Sequence, residues 1–432
     1  MRPITRTALA LVAFLALASG LARAALLTVN NLGGGDYTTI QDAFNALPAT
    51  FTENVTLNVV ATGTDYAGAV VGGNTMGSYR LNVVGVGGRP QIALDSNTTG
   101  LDLNQKPVTV QGFSIIRTLT ADNSSSVYIG NVGQNAVISD NRFLYPQSSG
   151  GGPFYRERVN ALGLSDYSAQ TGTVIERNYF RGASGNFVGG STSYGGTTAN
   201  PLVIRNNITE QASSLLQAGS AWGTATGGSV YLLNNTALAT FYGRSGVVHM
   251  NHHASNTYLG VVVANNLLLP WTVTTGAGIY FQNTTTVPTA ATVDYNFYSS
   301  SLLNVGNLGG TTYATLAAWE AALAGGTGTA ALDEAHGLYG DPSTFLQLDT
   351  DSDPTDFLWA KGALPQNAGM PSGTILPNSL TLATMVGDVD FFGNPRVRSR
   401  LDIGAFEVPE PGSLALLGLA AAELVGRRRR KA

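Results

Sequence analysis

Six segments of the chain share one short pattern, in which an apolar residue precedes an asparagine by three positions. Successive asparagines are separated by 37, 29, 28, 31 and 30 residues. A period of this length is typical of stacked supersecondary units, which cannot bury their apolar faces alone. We therefore expect a solenoid in which the repeated asparagines lie in one file: Asn141, Asn178, Asn207, Asn235, Asn266 and Asn296.

The residues around each asparagine predict a strand that ends in a bend. The positions three and five before the asparagine are mostly apolar, and a spacing of two places both side chains on one face of a strand. The nearer position holds Ile138, Ile175, Ile204, Leu232, Val263 and Val293, and the farther one holds Ala136, Thr173, Leu202, Val230, Val261 and Ala291. We expect the chain to turn at the asparagine, which tolerates the left-handed conformation, and its amide to bond to the copies above and below.

Earlier segments continue this rhythm with a small residue at the predicted bend: Ala61, Gly85 and Gly112. About nine rungs at roughly 4.8 Å each predict a rod on the order of 40 Å long. The asparagine file resembles the internal ladder of the pectate-lyase-like superfamily. That resemblance implies an all-β chain folded as a right-handed parallel β-helix, with a short N-terminal capping helix and an irregular C-terminal cap.

The first residues of the expected solenoid resemble the opening of pectinesterase-type β-helices, where a short amphipathic helix covers the first coil. The similar stretch is residues 35–48. Thr38 or Thr39 would cap this helix, and Pro48 would end it. Its buried stripe would consist of Ile40, Ala43, Phe44 and Leu47.

The sequence divides into four parts: a signal peptide at 1–24, the β-helix at 25–300, a helix and capping region at 301–407, and a sorting tail at 408–432. Within the capping region a further helix is expected from Tyr313 to Leu323. Residues 390–396 and 401–407 resemble the closing segment of many secreted β-helix proteins.

Composition agrees with an exported β protein. Charged residues make up 12% of the chain, and there are 53 glycines, against roughly 25% charged residues in an average soluble domain. The net charge of −4 provides no basic field for a phosphate backbone, so nucleic acid is not an expected partner. The absence of cysteine excludes a disulfide framework and cysteine-based metal or redox chemistry.

The N-terminus has the order of a secretory signal peptide. Arg2 and Arg6 form a basic start, an apolar run covers residues 8–18, and small residues surround a cleavage site expected after Ala24. The apolar run is shorter than the roughly 20 residues that a membrane-spanning helix needs. The sequence therefore predicts export.

The C-terminus holds the tripeptide Pro409, Glu410 and Pro411, an apolar stretch at residues 414–425, and a basic cluster at 427–431. This order resembles the PEP-CTERM sorting signal. The resemblance implies that exosortase, a membrane protease, recognises the tripeptide and removes or replaces the tail. The basic cluster would stay cytoplasmic, and Glu423 interrupts an already short transmembrane helix, so the membrane anchor would be transient.

Three of the four histidines stand close together, at His249, His252 and His253. On an extended strand His249 and His253 would share one face, where a third imidazole would complete a metal site. The other interpretation is a polar turn between rungs, because no carboxylate or cysteine lies nearby in sequence.

An acidic run offers oxygen ligands at alternate positions, as calcium loops do: Asp349, Asp351 and Asp353. Pro354 and Ala360 stand where an EF-hand has its glycine and its closing glutamate. A solvated acidic loop is therefore the other interpretation, and calcium is the one cofactor that the sequence suggests.

Catalytic residues are not evident, since the local signatures of pectate lyases, polygalacturonases and pectinesterases are not found at matching positions. Cleavage of a glycoside needs two carboxyl groups within roughly 5–10 Å. Asp140, Glu176 and Asp294 are the carboxylates beside the asparagine file, and we expect them on distant coils. The remaining candidates for a catalytic site are Arg156, Glu157, Arg158, Arg244 and His249.

The coil that contains Arg156, Glu157 and Arg158 has the longest of the five spacings, 37 residues. Its extra length predicts a lateral loop, where solenoids usually bind their ligands. Aromatic residues nearby would stack on sugar rings, and arginine pairs with acidic sugars.

We therefore expect an exported cell-surface or extracellular-matrix protein that is associated with exopolysaccharide and binds it along the rod. The alternative is a polysaccharide lyase or glycoside hydrolase of the pectate-lyase-like superfamily, and a protein adhesin is a third class. Fold alone does not grant activity. The sequence names neither a sugar nor a reaction.

Overall fold

The computed structural model describes most of the chain between Ala25 and Val408. The described residues are 25–94, 99–117, 127–144, 160–164, 170–182, 186–189, 193–218, 226–239, 246–251, 260–270, 276–282, 291–324, 334–346, 354–358, 362–376, 379–396 and 400–408. The predicted signal peptide at 1–24 and the tripeptide Pro409, Glu410 and Pro411 lie outside them.

The chain coils into a parallel β-helix with three long sheets. The first sheet has 10 strands: β1 (Ala25–Val29), β2 (Val55–Val60), β4 (Leu81–Val86), β7 (Val108–Gln111), β10 (Val137–Ser139), β13 (Val174–Glu176), β17 (Leu202–Arg205), β21 (Ser229–Leu233), β24 (Gly260–Ala264) and β27 (Ala291–Asp294). The second has 9: β5 (Gln91–Leu94), β8 (Ser114–Arg117), β11 (Arg142–Leu144), β14 (Tyr179–Arg181), β18 (Ile208–Ala212), β22 (Thr236–Ala239), β25 (Leu267–Pro270), β28 (Phe297–Ser299) and β31 (Leu338–Gly340).

The third sheet also has 10 strands: β3 (Ala69–Val70), β6 (Thr99–Asp102), β9 (Val127–Val132), β12 (Asn160–Leu164), β15 (Asn186–Gly189), β19 (Ser214–Ala218), β23 (Gly246–Asn251), β26 (Ala277–Gln282), β29 (Asn304–Leu308) and β30 (Thr311–Tyr313). A small additional sheet joins β16 (Ser193–Tyr194) to β20 (Thr226–Gly227). All named strands pair in parallel except β29 with β30, which are antiparallel. The predicted all-β solenoid is confirmed.

The predicted apolar columns form the interior of the rod. The side chains three positions before the asparagines pair in register along the first sheet. All six are fully buried: Ile138, Ile175, Ile204, Leu232, Val263 and Val293. Burial of each such side chain contributes about 1.5–3 kcal/mol, and the same contribution recurs on every coil.

The six asparagines form a hydrogen-bonded ladder beside this core. The backbone N–H and the Nδ2 of each asparagine both donate to the Oδ1 of the next, at 3.0–3.1 Å throughout. At one end the Oδ1 of Asn141 accepts from the backbone N–H of Phe113, 3.0 Å away. Every amide in the file is buried, so the copies satisfy one another in place of water.

The expected bend at the asparagine is wrong by one residue. The left-handed residue is the one before each ladder asparagine, with φ between +51° and +60°: Asp140, Arg177, Asn206, Asn234, Asn265 and Tyr295. This residue turns the chain and points its side chain away from the core. The asparagine that follows is then free to direct its amide inward.

The alignment of the earlier coils is also shifted. Val110 pairs with Ile138, so Gly112 corresponds to Asp140, and Phe113 occupies the ladder position. Gly112 has φ +81°, the left-handed conformation that glycine adopts without steric cost. Val59, not Ala61, pairs with Gly85. Of the three small residues only Gly112 therefore continues the file of bending residues, since Gly85 lies within strand β4 and Ala61 is out of register with it.

The N-terminal end of the rod is covered by the predicted helix, α1 (Ile40–Asn45). Thr39 is its N-cap and accepts from the backbone N–H of Asp42 at 3.0 Å. Ile40, Ala43 and Phe44 are buried against the first coil. This covering shields the apolar end that an open solenoid leaves to solvent.

At the other end the helix predicted from Tyr313 to Leu323 begins later than expected. Tyr313 belongs to the antiparallel strand β30, and the helix is α2 (Leu316–Ala324). Trp319 from α2 is fully buried at the end of the core. Its indole lies against Gly306, where an added Cβ would approach the ring to 2.2 Å.

We expect Gly306→Ala to lower the free energy of unfolding by about 1–3 kcal/mol, because overpacking forces neighbouring side chains out of their preferred positions. Urea unfolding followed by circular dichroism measures the change. Gly73→Ala is the matched control, since a Cβ there would meet nothing within 4 Å. Equal stability of the two variants would contradict the tight contact with Trp319.

Much of the predicted irregular cap lies along the side of the rod. It contains short 3-10 turns at Pro342–Thr344 and Pro354–Phe357, and the helix α3 (Leu382–Val386). We call residues 362–408 the strap. Its buried apolar residues pack on the outer faces of the first and second sheets, where they form two clusters separate from the interior core.

Candidate functional site

Most of the sequence-predicted site residues lie outside the described residues. This applies to Arg156, Glu157, Arg158, Arg244, His252 and His253, and to Asp349, Asp351 and Asp353. Calcium binding by the acidic run therefore stays a prediction. Within the described part of the chain, no group of three or more His, Cys, Asp and Glu residues is placed to hold a metal ion.

Two of the carboxylates beside the ladder lie on adjacent coils, not on distant ones as expected. Arg177 joins them, since its Nε lies 2.9 Å from Asp140 Oδ1 and its Nη1 lies 2.7 Å from Glu176 Oε1. Arg205 on the next coil extends the chain, with Nη2 2.6 Å from the other oxygen of Glu176. Asp140, Glu176, Arg177 and Arg205 therefore form one network of alternating charge.

This network borders a groove of about 990 Å³ between the rod and the strap. The strap contributes Thr384 and Asp388 to the lining. Arg205 Nη1 also donates to the backbone oxygen of Met385 at 2.7 Å. Because each carboxylate is tied to guanidinium groups, the network fixes the strap on the rod more readily than it supplies an acid and a base for catalysis.

A row of uncharged polar and aromatic side chains lies on the outer face of the third sheet. Gln217, His249, Tyr280 and Asn307 occupy the same register position on four successive strands, about 4.8 Å apart along the rod. The residues that precede them in the strands line the interior, so these four face outward. We call this row, together with Gln282, the third-sheet stripe.

Contacts within the stripe hold its side chains in place. The His249 imidazole stacks on the Tyr280 ring at 4.8 Å between centroids and 27° between planes. Its Nε2 lies 2.7 Å from Gln282 Oε1, and Gln217 Oε1 accepts from Asn186 Nδ2 at 2.7 Å. His249 is buried, whereas Gln217, Tyr280 and Gln282 are half-buried.

The stripe combines amide donors and acceptors with an aromatic ring and carries no charged group. Such a surface suits a hydroxyl-rich ligand, which needs many hydrogen bonds of both kinds and an apolar face for stacking. The described hydrogen-bond partner of His249 Nε2 is an amide.

Sequence reasoning missed a histidine–carboxylate pair in the last coils. His336 Nδ1 lies 2.9 Å from Asp294 Oδ2, and the imidazole stacks on Tyr295 at 4.3 Å with 3° between planes. The side chain of His336 is 54% exposed. The two partners are 42 residues apart, and no local motif marks His336 as part of this site.

Sequence reasoning also missed the group that ends the asparagine ladder. Glu334 Oε1 accepts from the backbone N–H of Asn296 at 2.8 Å, and Oε2 accepts from the Tyr298 hydroxyl at 2.8 Å. Glu334 is fully buried. Burial raises the pKa of this carboxyl to about 8, although the donated hydrogen bonds act in the opposite direction.

The strap ends in a buried segment that leads directly into the C-terminal tail. Residues 407–430 match the family model described as the PEP-CTERM protein-sorting motif. The chain carries a PEP-CTERM sorting signal. The search of curated proteins found no match to this chain.

The PEP-CTERM signal marks an exported protein that exosortase processes and that is anchored transiently at the membrane. Pro409, Glu410 and Pro411 fall within the matched segment. No helix among the described residues is long and apolar enough to span a membrane. The transmembrane helix predicted at 414–425 lies beyond Val408, outside those residues.

Proposed function

We propose that this protein is a cell-surface or extracellular-matrix protein that binds exopolysaccharide along the third-sheet stripe. The observation that carries the proposal is the register of Gln217, His249, Tyr280 and Asn307, which repeats polar and aromatic groups along the rod axis. A linear polymer laid along that axis would meet the half-buried Gln217, Tyr280 and Asn307, while the buried His249 supports the Tyr280 ring. The PEP-CTERM signal supports a location outside the cytoplasm.

The chemistry of the stripe favours a neutral saccharide over an acidic one. Its side chains are amides, an imidazole and a phenol, which donate and accept hydrogen bonds without a fixed charge. Contacts such as the His249–Tyr280 stack hold the groups before a ligand arrives, which lowers the entropy lost on binding. The charged network of Asp140, Glu176, Arg177 and Arg205 serves a separate purpose, the attachment of the strap.

Binding to a panel of neutral and acidic polysaccharides by affinity electrophoresis tests the proposal. We expect retardation by at least one neutral polymer, and a loss of at least about fivefold in affinity for Tyr280→Ala, which corresponds to roughly 1 kcal/mol. Tyr339→Ala is the matched control, because Tyr339 is exposed on β31 in a different sheet. Unaltered mobility on every polymer, or equal losses in the two variants, would contradict the proposed site.

The same incubations separate binding from catalysis. A polysaccharide lyase would release unsaturated ends, and a glycoside hydrolase would release reducing ends. Release of either product that is abolished by Arg158→Ala would favour the enzymatic alternative over a binding protein. Retention of the polymer at its original length agrees with the proposal.

A further inference from the structure

The sorting signal begins inside the folded strap. The matched motif starts at residue 407, and Glu407 and Val408 are 1% and 7% exposed. Pro409 follows Val408 directly in the sequence. No spacer residue therefore separates the tightly packed end of the strap from the tripeptide that exosortase is expected to recognise.

A buried polar network holds the last eight described residues of the strap together. The backbone N–H of Val408 donates to Asp402 Oδ2 at 2.7 Å, and that of Glu407 donates to Asp390 Oδ2 at 2.9 Å. Arg396 Nη1 lies 2.9 Å from Glu407 Oε2, and both side chains are almost fully buried. Release of part of the segment would separate these buried charged groups from one another. The residues of the segment therefore leave the rod together.

The outward-facing asparagines of the rod hold this segment from the other side. Asn234 Nδ2 donates to the backbone oxygen of Asp402 at 2.8 Å. Asn265 accepts from the backbone N–H of Met370 through Oδ1 at 2.8 Å, and from the N–H of Gly404 through its backbone oxygen at 2.7 Å. These residues precede ladder asparagines, and their left-handed backbone directs them at the strap.

Apolar contacts add to this attachment. Ile403, Ala405, Phe406 and Val408 belong to one buried cluster with the outer side chains of the second sheet, including Ile208. A protease needs the residues beside its cleavage site in an extended, accessible form, and a docked segment reaches that form only through local unfolding. The docked strap and the active site of exosortase therefore compete for the same residues.

We infer that docking of the strap controls the removal of the sorting tail. Exosortase processes the tail while residues 401–408 are undocked from the rod, and the completed fold resists processing. Processing therefore occurs during export, before the strap has settled on the outer asparagines, or after a local opening of the strap.

Insertion of a short Gly-Ser linker between Val408 and Pro409 of the full-length chain tests this inference. Pulse-chase labelling in cells that contain the exosortase measures the rate of tail removal. We expect the linker to raise that rate at least about tenfold, because the tripeptide then becomes accessible while the strap stays docked. The same linker between Gly33 and Gly34, an exposed turn where a Cβ added at either glycine would meet nothing within 4 Å, leaves the rate unchanged.

Asn265→Ala provides a second test of the inference, since it removes the side-chain amide that holds Met370 on the rod. We expect faster hydrogen exchange of the amides of residues 401–408 in the purified variant, together with faster tail removal in cells. An equal or slower rate of tail removal in the chain with the linker after Val408 would overturn the inference. So would faster exchange in Asn265→Ala without faster processing.

Discussion

Asn207→Ala is expected to lower the free energy of unfolding by several kcal/mol. Asn207 Oδ1 accepts from the backbone N–H and from the Nδ2 of Asn178, at 3.0 and 3.1 Å. Its own Nδ2 donates to Asn235 Oδ1 at 3.0 Å and to the backbone oxygen of Ile175 at 3.0 Å. The same Nδ2 also donates to the backbone oxygen of Arg205 at 2.9 Å. Alanine leaves these partners without the amide, at a cost of about 1–3 kcal/mol for each buried group that stays unsatisfied.

Urea unfolding of the two chains measures this effect as a shift of the transition midpoint. Asn82→Ala is the control, because Asn82 also lies in the first sheet but is half-buried, with a single long side-chain contact of 3.4 Å to Thr56. We expect its loss to cost less than about 1 kcal/mol, the scale of one ordinary hydrogen bond. Similar midpoints for the two variants would show that the ladder is no more than a set of independent contacts.

The second large effect is a dependence of stability on pH that comes from Glu334. Its pKa is raised to about 8 in the folded protein, whereas a glutamate in the unfolded chain titrates near 4.3. Between these values the folded protein holds a proton that the unfolded chain has released. The free energy of unfolding therefore falls by about 1.4 kcal/mol per pH unit as the pH rises from about 4.5 to about 8.

The stabilisation by the neutral carboxyl is thus fully present below about pH 4.5 and is lost as the pH rises through 8. Glu334→Gln removes the titrating group and keeps the shape and the acceptor oxygen of the side chain. We expect its unfolding free energy to vary much less between pH 5 and pH 8 than that of the parent chain. Parallel pH profiles for the two chains would mean that Glu334 does not hold a proton at neutral pH.

The two predictions both concern the asparagine ladder. No further asparagine follows Asn296 in the ladder, and Glu334 accepts its hydrogen bonds instead. The last asparagine of the ladder needs a group that accepts hydrogen bonds from both its backbone N–H and its Nδ2. The carboxyl of Glu334 does so, and its second oxygen also accepts from the Tyr298 hydroxyl. The stability of the ladder and its response to pH are therefore coupled at the last coil.

For the candidate site, the sequence supplied residue types but not their arrangement. His249 stands in a cluster that suggested a metal, yet its described contacts are the ring of Tyr280 and the amide of Gln282. Tyr280 and Gln282 are more than 30 residues away in the chain, and a shift of one residue in strand register would separate them from His249. The stripe therefore became visible only once the register was known.

The position of the strap could not be predicted from the sequence either, although the sequence indicates indirectly that the outer face of the rod is covered. On β2 buried and half-buried residues alternate, as expected for a strand with one face in the core. On β21 and β24 every residue is buried, and both strands are apolar at nearly every position, the pattern of a sheet that is covered on both faces. That pattern predicts that another segment covers the outer face of the sheet, but it does not identify the segment.

What the sequence determined by itself is the coil: a fixed period, an alternation of apolar residues and an asparagine in every repeat are local properties that each coil shares with its neighbours. The positions of Glu334 and of the strap depend on contacts between residues far apart in the chain, as many as 190 positions for Arg396 and Asn206. Such contacts carry no periodic signal, because each occurs once. Only the packing of the completed rod decides them.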